Sequence, residues 1–409
     1  MSPSEAFNAG AAFARLASEV QNVEQLQRQL HAEPRVSGNE DDTLARLMNE
    51  LPDSFQRETL TGNIGILRLG RPGVSVAIRA EMDALPIVEQ TGLPWAASNG
   101  AMHACGHDVH MAALVAVART LALTVPLPVP LVGILQPREE VGESGAHDVV
   151  RSGVLAAQQV GAVVGAHLQP ALDSLAYSCT PGPVNAAADE FKLVITGRPA
   201  HGAYPHHASD ALLAASAFVV SCQQIVARNT DPTMSAVLTV GTIHAGGSPN
   251  AIPEEATVTG TIRTMMEPQR QMIHTRLRQV ASGVATAHDC TVRLEIRRGE
   301  PILENDAELA VGIGRHLGAQ GYEVLEFRSY GSDDFAFYAS AARAVMIFTG
   351  MPAASGNLHA STFAPDERAV GRVATAMLTG YLVSAQVLAG GGTMQAANPS
   401  GIEKPGRRK

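Results

Sequence analysis

The sequence predicts an α/β fold, with a mostly parallel sheet that carries helices on both faces and is interrupted by a smaller α+β domain. Over the first half of the chain, short apolar strand segments alternate with helical segments. From about Asp189 the pattern changes to strands of alternating polarity, and helix and strand alternation resumes later. At 409 residues the chain exceeds one ordinary core, so we expect two domains, of which the larger is discontinuous.

The strands of the larger sheet are expected in the first part of the chain. Three short apolar segments predict them: VSVAIRA (74–80), VPLVGILQP (129–137) and GAVVGAHL (161–168). Apolar spacing predicts a helix from Phe13 to His31, and an alanine-rich segment predicts another from His107 to Leu123. Strands separated by helices pair in parallel, and ligands bind beyond the carboxyl ends of such strands.

The inserted domain is predicted from the order of its elements. They are a strand over 190–197, a helix from Asp210 to Arg228, strands over 234–246 and 255–263, a helix over 268–288 and a strand over 290–298. This is a split βαβ unit of ferredoxin-like order. We therefore predict a catalytic domain formed by 1–187 and 299–390, an inserted domain over 188–298, and a disordered polar tail over 391–409.

Composition and charge exclude several classes of protein. The formal net charge of −9 argues against a nucleic-acid partner. No uninterrupted apolar run reaches the length of a membrane span, since Arg119 and three prolines break the longest one. The four cysteines are widely scattered, which is not a disulfide framework, and the amino-terminal segment does not resemble a secretory signal. We expect a cytoplasmic protein without a membrane partner.

The segment AMHACGHDVHM (101–111) concentrates residues that bind metals. Cys105 and His107 lie two residues apart at the start of a predicted helix, where a thiolate and an imidazole can bind a borderline divalent ion. A single histidine or cysteine is more often structural, and His103 and His110 stay open as bystanders. Two ligands do not form a site, so further ligands must come from elsewhere.

Suitable residues follow the predicted strands. Glu139 and Glu140 come after the strand over 129–137, His167 ends the strand over 161–168, and His359 lies in a later loop. Adjacent carboxylates can divide their roles, with one binding a metal and the other acting as general base. Without the other candidate residues, the simpler interpretation of this segment is a solvated pair of glutamates in a loop. Asp83 follows the strand over 74–80, where it would orient a ligand histidine or only cap a turn.

Longer motifs carry a resemblance to a known family. They are RAEMDALP, MHACGHDVHMA, QPREEVGESGA, GAHLQP, GRPAHGAYPHHASD, GGSPNAIPEEATVTGTIR, YGSDDFAFY and NLHAST, running from about Leu30 to Glu367. The chain resembles the metal-dependent amidohydrolases of the aminoacylase/carboxypeptidase superfamily, in the branch that contains hippurate hydrolase and auxin–amino acid conjugate hydrolases. The resemblance implies a phosphorylase/hydrolase-like catalytic domain with two divalent metals, and an inserted lid through which the chain forms a homodimer.

The resemblance also assigns roles to residues. It implies metal binding by Cys105, His107, Glu140, His167 and His359; a general base at Glu139; an acidic residue behind the metals at Asp83; an oxyanion-binding histidine at His201, which in dimeric members reaches the partner's site; and substrate contacts at Asn250 and Arg263. Zinc or manganese are the expected metals, with cobalt and nickel also compatible with these donors. The implied reaction cleaves the amide of an N-acyl or N-aroyl amino acid, giving a carboxylic acid and a free amino acid.

Three departures and four alternatives remain. The family usually has Asp at Glu81, Glu at Asp333 and Glu at Arg35, which affects substrate detail rather than the proposed ligands.

A carboxypeptidase or dipeptidase of the same superfamily is the main alternative. A cysteine hydrolase with Cys105 as nucleophile leaves the glutamates unexplained, and a catalytically dead binding protein does not need a complete ligand set. The glycines of 61–70 do not have the spacing of a nucleotide-binding loop.

Overall fold

The computed structural model describes residues 7–172 and 176–390. These residues form two compact units. The first comprises the described parts of Met1–Cys179, Asn305–Glu326 and Phe337–Lys409, and the second comprises Thr180–Glu304 and Phe327–Ala336. The segment Phe327–Ala336 thus clusters with the second unit, whereas the sequence-based division had assigned it to the larger domain. The tail predicted over 391–409 lies outside the described residues.

The helices and strands are as follows. The helices are α1 (Ala9–Asn22), α2 (Glu24–Ala32), α3 (Asp41–Asn49), α4 (His107–Ala122), α5 (Gly145–Arg151), α6 (Val154–Ala157), α7 (Ala211–Asn229), α8 (Glu267–Ala287), α9 (Ala307–Ala319) and α10 (Ala369–Gly390), with short 3₁₀ turns at Pro205–His207, Asp334–Ser340 and Ala353–Ser355. The strands are β1 (Gln56–Leu60), β2 (Ile64–Leu69), β3 (Ser75–Glu81), β4 (Leu131–Gln136), β5 (Val160–Gln169), β6 (Ala176–Ser178), β7 (Gly182–Asn185), β8 (Ala187–Thr196), β9 (Ala200–His201), β10 (Ala236–Ala245), β11 (Ala251–Ile252), β12 (Glu255–Thr264), β13 (Thr291–Arg298), β14 (Leu303–Asn305), β15 (Glu323–Val324) and β16 (Arg343–Gly350).

The first unit is built on an eight-stranded sheet with the order β1-β2-β4-β3-β5-β16-β6-β15. Its four central strands, β4, β3, β5 and β16, all run parallel. On either side of these four strands, β2 pairs antiparallel with β4 and β6 pairs antiparallel with β16, while the edge strand β15 pairs parallel with β6. Strands β3 and β4 are buried along their whole length, which explains why they appear in the sequence as continuous apolar segments. The mostly parallel sheet predicted from the sequence is confirmed.

The helix predicted from Phe13 to His31 is two helices rather than one. The backbone of Val23 leaves the helical range (φ −100°, ψ 2°) between α1 and α2. The side chain of Val23 is completely buried. This break redirects the chain so that both helices pack against α4, and the hydrophobic spacing continues across it, which is why the sequence alone suggested a single helix.

Among the described residues, two helices are long and apolar enough to cross a membrane by length and composition alone: α7 and α10. Neither helix is an uninterrupted apolar run in the sequence. Two-thirds of the apolar window of α10 is buried, against α4 and the central strands β3, β5 and β16. One-third of the α7 window is buried, and its Phe218, Cys222 and Ile225 belong to the core of the second unit. Each helix therefore buries part of its apolar surface within its own unit.

The second unit contains a four-stranded antiparallel sheet with the order β10-β12-β8-β13. Its elements follow the chain as strand, helix, two strands, helix and strand. Along β12 buried residues alternate with less buried ones, as expected where one sheet face is covered. The buried residues of β8 and β12 join apolar residues of α7 and α8 in a separate core.

Candidate metal centre

Most of the predicted site residues of the first unit follow the ends of neighbouring parallel strands. Asp83 comes two residues after β3, Glu139 and Glu140 come shortly after β4, and His167 lies near the end of β5. Because β4, β3 and β5 are adjacent and parallel, their carboxyl ends meet at one edge of the sheet. Cys105 lies two residues before the start of α4, separated from it by the N-cap Gly106, and His107 begins the helix. This edge is where α/β sheets bind ligands.

Backbone carbonyls fix the orientation of two histidines. The Nδ1 atom of His107 lies 2.8 Å from the carbonyl oxygen of Asp83, and Nδ1 of His167 lies 2.7 Å from that of Leu168. A carbonyl oxygen only accepts hydrogen bonds, so both Nδ1 atoms donate, and in the neutral rings the lone pair is on Nε2. Metal-binding histidines usually donate their other ring N–H to a carbonyl or carboxylate in this way, which fixes the tautomer and the ring orientation.

The Nε2 atoms of these two histidines point towards other potential ligands. His167 Nε2 lies 3.5 Å from the Sγ atom of Cys105, and His107 Nε2 lies 3.8 Å from the carboxylate of Glu139. His107 Nε2 is buried and has no hydrogen-bond partner among residues 7–172 and 176–390. An unsatisfied buried nitrogen is costly in a protein interior, and a cation bound there would satisfy it.

Glu140 and His359 form the other side of the centre. Their Oε1 and Nε2 atoms are 3.4 Å apart. Burial by itself raises the pKa of Glu140, but His359, His107 and His167 together lower it below its usual value, so the group is a carboxylate. His359 has a left-handed backbone (φ 64°), and its N–H donates to the carbonyl of Ala104 at 2.8 Å, which fixes it beside Cys105.

Together these side chains form overlapping groups of potential metal ligands. Within each group the ligand atoms lie no more than 4.8 Å apart: Cys105, Glu140 and His359; His107, Glu139 and Glu140; and Glu81, His107, His110 and His167. Because Glu140 and His107 each belong to two groups, the five predicted ligands and Glu139 form one connected cluster. Imidazoles, carboxylates and one thiolate suit divalent transition metals, so the donor set fits a site for such ions.

The carboxylate of Asp83 supports this cluster. Its Oδ2 atom accepts hydrogen bonds from the Ser37 hydroxyl at 2.7 Å and from the backbone N–H of Glu140 at 2.9 Å. Its Oδ1 atom is 3.7 Å from His107 Nδ1, beyond hydrogen-bond distance. It is therefore the backbone carbonyl of Asp83 that orients the histidine, whereas the sequence suggested the side chain. The carboxylate holds the segment that carries Glu140.

Sequence reasoning did not assign Glu81 and His110 to this site. His110 Nδ1 lies 3.2 Å from the Glu81 carboxylate, and its Nε2 accepts the N–H of Leu168 at 3.2 Å. Burial by itself raises the pKa of Glu81, but Arg79 and His110 lower it well below its usual value. Both nitrogens of His110 are engaged, so it supports the segment that carries His167 rather than offering a lone pair. Its position three residues after His107 on one helix was the available signal.

Two further residues of the 101–111 segment lie outside the ligand groups. His103 is buried, and burial lowers its pKa to about 4, so it is neutral near pH 7. Its ring centroid is 6.5 Å from that of His107. The carboxylate of Asp108 accepts hydrogen bonds from His31 and Gln27. Neither residue belongs to a ligand group among the described residues, so neither is a candidate ligand.

Within the second unit, His201 and Asn250 lie close together. Strand β9 pairs with β11 so that His201 is opposite Ala251, and the N–H of Gly202 donates to the carbonyl of Asn250 at 2.8 Å. The Nδ1 atom of His201 accepts the N–H of Ala203 at 3.1 Å, so in the neutral ring the proton is on Nε2, available for donation. The imidazole is exposed.

Arg263 and the residues that depart from the family pattern have identifiable partners. Arg263 donates to the hydroxyl of Ser332 at 2.8 Å within the second unit. In the same unit, buried Asp333 accepts the N–H of Phe335 at 2.8 Å. Arg35, in the first unit, forms a two-pronged ion pair with Asp42 at the surface. Arg35 and Asp333 thus have local structural contacts.

Comparisons with known proteins identify the family. The model of peptidase family M20/M25/M40 matches residues 77–386. An N-acetyldiaminopimelate deacetylase from Listeria monocytogenes is 33% identical over 353 residues, which cover 84% of this chain and 94% of that protein. An N-acetylcysteine deacetylase from Bacillus subtilis is 32% identical over 354 residues, 84% of this chain and 92% of that protein.

A solved structure is similar over nearly the whole chain. A dinuclear metal-binding peptidase of the M20 family from Bacillus subtilis has a TM-score of 0.79 and 28% identity, covering 90% of this chain and 99% of that one. The resemblance inferred from the sequence motifs is therefore correct. The chain belongs to peptidase family M20/M25/M40, and as a member it is a hydrolase that acts on amide bonds.

Proposed function

We propose that this protein is a metal-dependent amidohydrolase that cleaves N-acyl or N-aroyl amino acids to a carboxylic acid and a free amino acid. The observation that carries the proposal is the connected cluster at the sheet edge. In it, the unsatisfied Nε2 of His107 is 3.8 Å from the carboxylate of Glu139, and Glu140 links the remaining ligands. The names of the relatives, which remove acetyl groups from amino acids, support this substrate class.

Two divalent ions would be held by Cys105, His107, Glu140, His167 and His359. When bound, they supply Lewis acidity, which polarises a carbonyl group and lowers the pKa of a water molecule. We propose zinc or manganese, because imidazole and carboxylate ligands suit both, while cobalt and nickel fit the same donors. The two ring orientations set by the carbonyls of Asp83 and Leu168 prepare His107 and His167 for this role.

Glu139 is the residue that we propose moves the proton. Its carboxylate is next to the proposed ligand Glu140 in the chain and 3.8 Å from His107 Nε2, and this position supports a role as base on the reacting water rather than as a ligand. It takes a proton from water as the oxygen attacks the amide carbon, and then delivers a proton to the departing amine nitrogen.

His201 is proposed to stabilise the negative charge that develops on the substrate carbonyl oxygen. The hydrogen bond from Ala203 to Nδ1 leaves Nε2–H as a donor, the form that this role requires. Asn250, whose backbone is bonded to Gly202, and Arg263 would contact the substrate carbonyl or carboxylate.

We also propose a cytoplasmic homodimer assembled through the second unit. Its helix α7 leaves Leu213 and Val220 at 54% and 74% exposure, and the edge strand β10 leaves Ile243 exposed. Apolar residues on a helix and on an edge strand are features that a partner subunit can cover. We propose that His201 acts on the partner's site, as the resemblance of the sequence motifs implies. The four free cysteines are consistent with a reducing compartment.

The test combines metal analysis of the purified protein with a substrate panel. The panel contains hippurate, N-acetyl amino acids of both chiralities including N-acetylcysteine and N-acetyldiaminopimelate, an indole-acetyl amino acid and a dipeptide, each with and without chelator. We expect about two metals per chain and chelator-sensitive release of an amino acid from an acylated substrate. Cleavage of the dipeptide alone would instead support the peptidase alternative.

The chelator also separates the proposal from thiol chemistry. Cys105 Sγ and His167 Nε2 are 3.5 Å apart, which is also a spacing that a cysteine hydrolase could use. Hydrolysis by metal-free protein would contradict the metal-dependent mechanism. Metal-loaded protein without activity on any panel member would leave the metal centre in place and show that the substrate class is wrong.

A further inference from the structure

The turn that presents Glu139 and Glu140 begins with an unusual backbone conformation. Arg138 has a left-handed φ of 53° although it is not a glycine. Such a backbone is strained for a residue that has a side chain, and it persists only where surrounding contacts hold it. Because Arg138 directly precedes Glu139, the contacts that hold this turn also determine where the proposed base is placed.

Hydrogen bonds fix the peptides on both sides of Glu139. The N–H of Arg138 donates to the Oε1 atom of Glu40 at 3.0 Å, and the N–H of Glu140 donates to Asp83 Oδ2 at 2.9 Å. The carbonyl of Arg138 accepts the N–H of Gly145 at 3.0 Å. A side chain at Gly145 would not fit, because its Cβ would lie 1.7 Å from the carbonyl oxygen of Pro137. The loop is therefore closed tightly around Glu139.

The side chain of Glu40 bonds to this turn rather than to the helix that follows it. It directly precedes α3, but its side chain makes no capping hydrogen bond to that helix. Its carboxyl group is completely buried, and Oε1 accepts the N–H groups of Gly38, at 2.9 Å, and of Arg138. Three residues earlier, Ser37 donates to Asp83. The segment 37–40 thus contacts both hydrogen-bond systems that flank Glu139.

We propose that Glu40 is a positioning residue of the active site: its carboxyl group holds the left-handed turn at Arg138 and thereby places Glu139. This inference rests on the proposed function for its catalytic consequence. Asp83 acts on the Glu140 side of the dipeptide, where the proposed metal would be held, whereas Glu40 acts on the Glu139 side. Loss of the Glu40 acceptor should therefore affect turnover more than metal binding.

The test uses three variants. Glu40→Met keeps the length of the side chain and removes the acceptor, and Glu40→Gln retains an oxygen acceptor. Leu47→Ala is the control: it truncates a completely buried residue of the adjacent helix α3, so it lowers stability without removing a bond to the loop. For each variant, kcat, KM, metal content and residue-resolved amide hydrogen exchange at Arg138 are measured.

We expect Glu40→Met to lower kcat by about 100-fold, the usual effect of a small misplacement of a catalytic group, with metal content and KM near those of the wild type. Hydrogen exchange at the Arg138 amide should become faster in Glu40→Met. In Glu40→Gln, kcat and this exchange rate should both stay close to those of the wild type. Leu47→Ala should lower the melting temperature without changing kcat or this amide. The amide must also be protected in the wild-type protein, a requirement that holds even if Glu40→Met does not fold.

Separate outcomes distinguish failure of this inference from failure of the proposed function. An unprotected Arg138 amide in the wild type, or a Glu40→Met variant with wild-type exchange or wild-type kcat, would overturn the role of Glu40. So would equal effects of Glu40→Met and Leu47→Ala at matched stability. A wild-type protein inactive on every substrate, with exchange that responds to Glu40→Met as expected, would refute the proposed function and leave the turn contact established.

Discussion

The imidazole Nδ1 of His107 donates to the backbone carbonyl of Asp83 at 2.8 Å, whereas the carboxylate of Asp83 lies 3.7 Å from the same nitrogen. The side chain of Asp83 is used elsewhere, on Ser37 and on the N–H of Glu140. Asp83 therefore orients one proposed ligand, His107, with its backbone carbonyl and holds the segment of a second, Glu140, with its side chain. Every substitution at position 83 retains the carbonyl, so variants there test the side-chain contacts with Ser37 and the Glu140 segment and leave the bond to His107 in place.

Replacing Glu139 by Gln should abolish turnover while leaving the fold and the metal content intact. The amide has the size of the carboxylate but cannot take a proton from water, and in the proposal none of the five ligands is lost. We expect a fall in kcat of at least 100-fold, on the scale of general-base contributions. Activity on the acylated substrates and metal content are measured on the same sample.

Glu143→Gln is a suitable control for the Glu139 variant. Glu143 lies in the same loop, but it is exposed and does not belong to a ligand group among the described residues. It should retain the wild-type rate. A Glu139→Gln enzyme that turns over as fast as this control would remove Glu139 as the base.

His167→Ala should lose metal, whereas His103→Leu should retain it. Both histidines are buried, but only His167 has an Nε2 atom close to Cys105 and a place in a ligand group. Removing one of the ligands of an ion commonly lowers its affinity by orders of magnitude. Metal content after dialysis against a weak chelator compares the two variants directly. Equal retention by both would exclude His167 as a ligand.

His201→Ala should lower kcat by about 100-fold or more, the usual effect of losing one oxyanion donor, without lowering metal content. His207→Ala is the control, because it removes a neighbouring exposed histidine of the same unit. Mixtures of His201→Ala with Glu139→Gln, shown to exchange subunits, test the proposed action across a dimer. Recovered activity is expected, because one pairing combines an intact His201 with an intact Glu139. Exchange without recovery would place His201 and Glu139 of one site on the same subunit.

The sequence predicted the strands, the helices and the candidate site residues better than the hydrogen bonds that connect those residues. Strands such as β3, expected over 74–80 and found at Ser75–Glu81, were accessible because buried parallel strands are continuously apolar. The candidate site residues at the carboxyl ends of these strands were predicted from the rule that ligands bind there. The break at Val23 was not predictable, since apolar spacing continues through it. The use of a carbonyl at Asp83 was also not predictable, since every residue has one.

Buried residues that serve the site indirectly were the hardest to anticipate. Each of Glu40, Glu81 and His110 has a partner far away in the sequence: Glu40 accepts the N–H of Arg138, and Glu81 pairs with His110. Their importance arises from burial, because a polar group removed from water must find a partner in the fold. That information exists only once the strands and helices are assembled, whereas the motifs that identify the family are local.

Stability should depend on the protonation of His31. This buried imidazole lies between two acids, with Nδ1 2.9 Å from Asp108 and Nε2 3.0 Å from Glu89. Burial by itself lowers the pKa of His31, but the two acids together raise it to about 9 from 6.5. Both carboxyl groups have lowered pKa values, that of Asp108 to about 2, so they stay charged at neutral pH. Nearby His103, with its pKa lowered to about 4, stays neutral.

A pKa that is higher in the folded state than in the unfolded chain stabilises the protein at low pH. The contribution of His31, on the order of 3 kcal/mol, should be complete below about pH 6.5 and lost as the pH rises through 9. Urea unfolding of the wild type and His31→Gln at saturating metal measures it, because the metal contribution is common to both. The wild type should be more stable at pH 6, and the difference should shrink towards pH 9.5. A difference that is constant with pH would show that His31 is not charged in the folded protein.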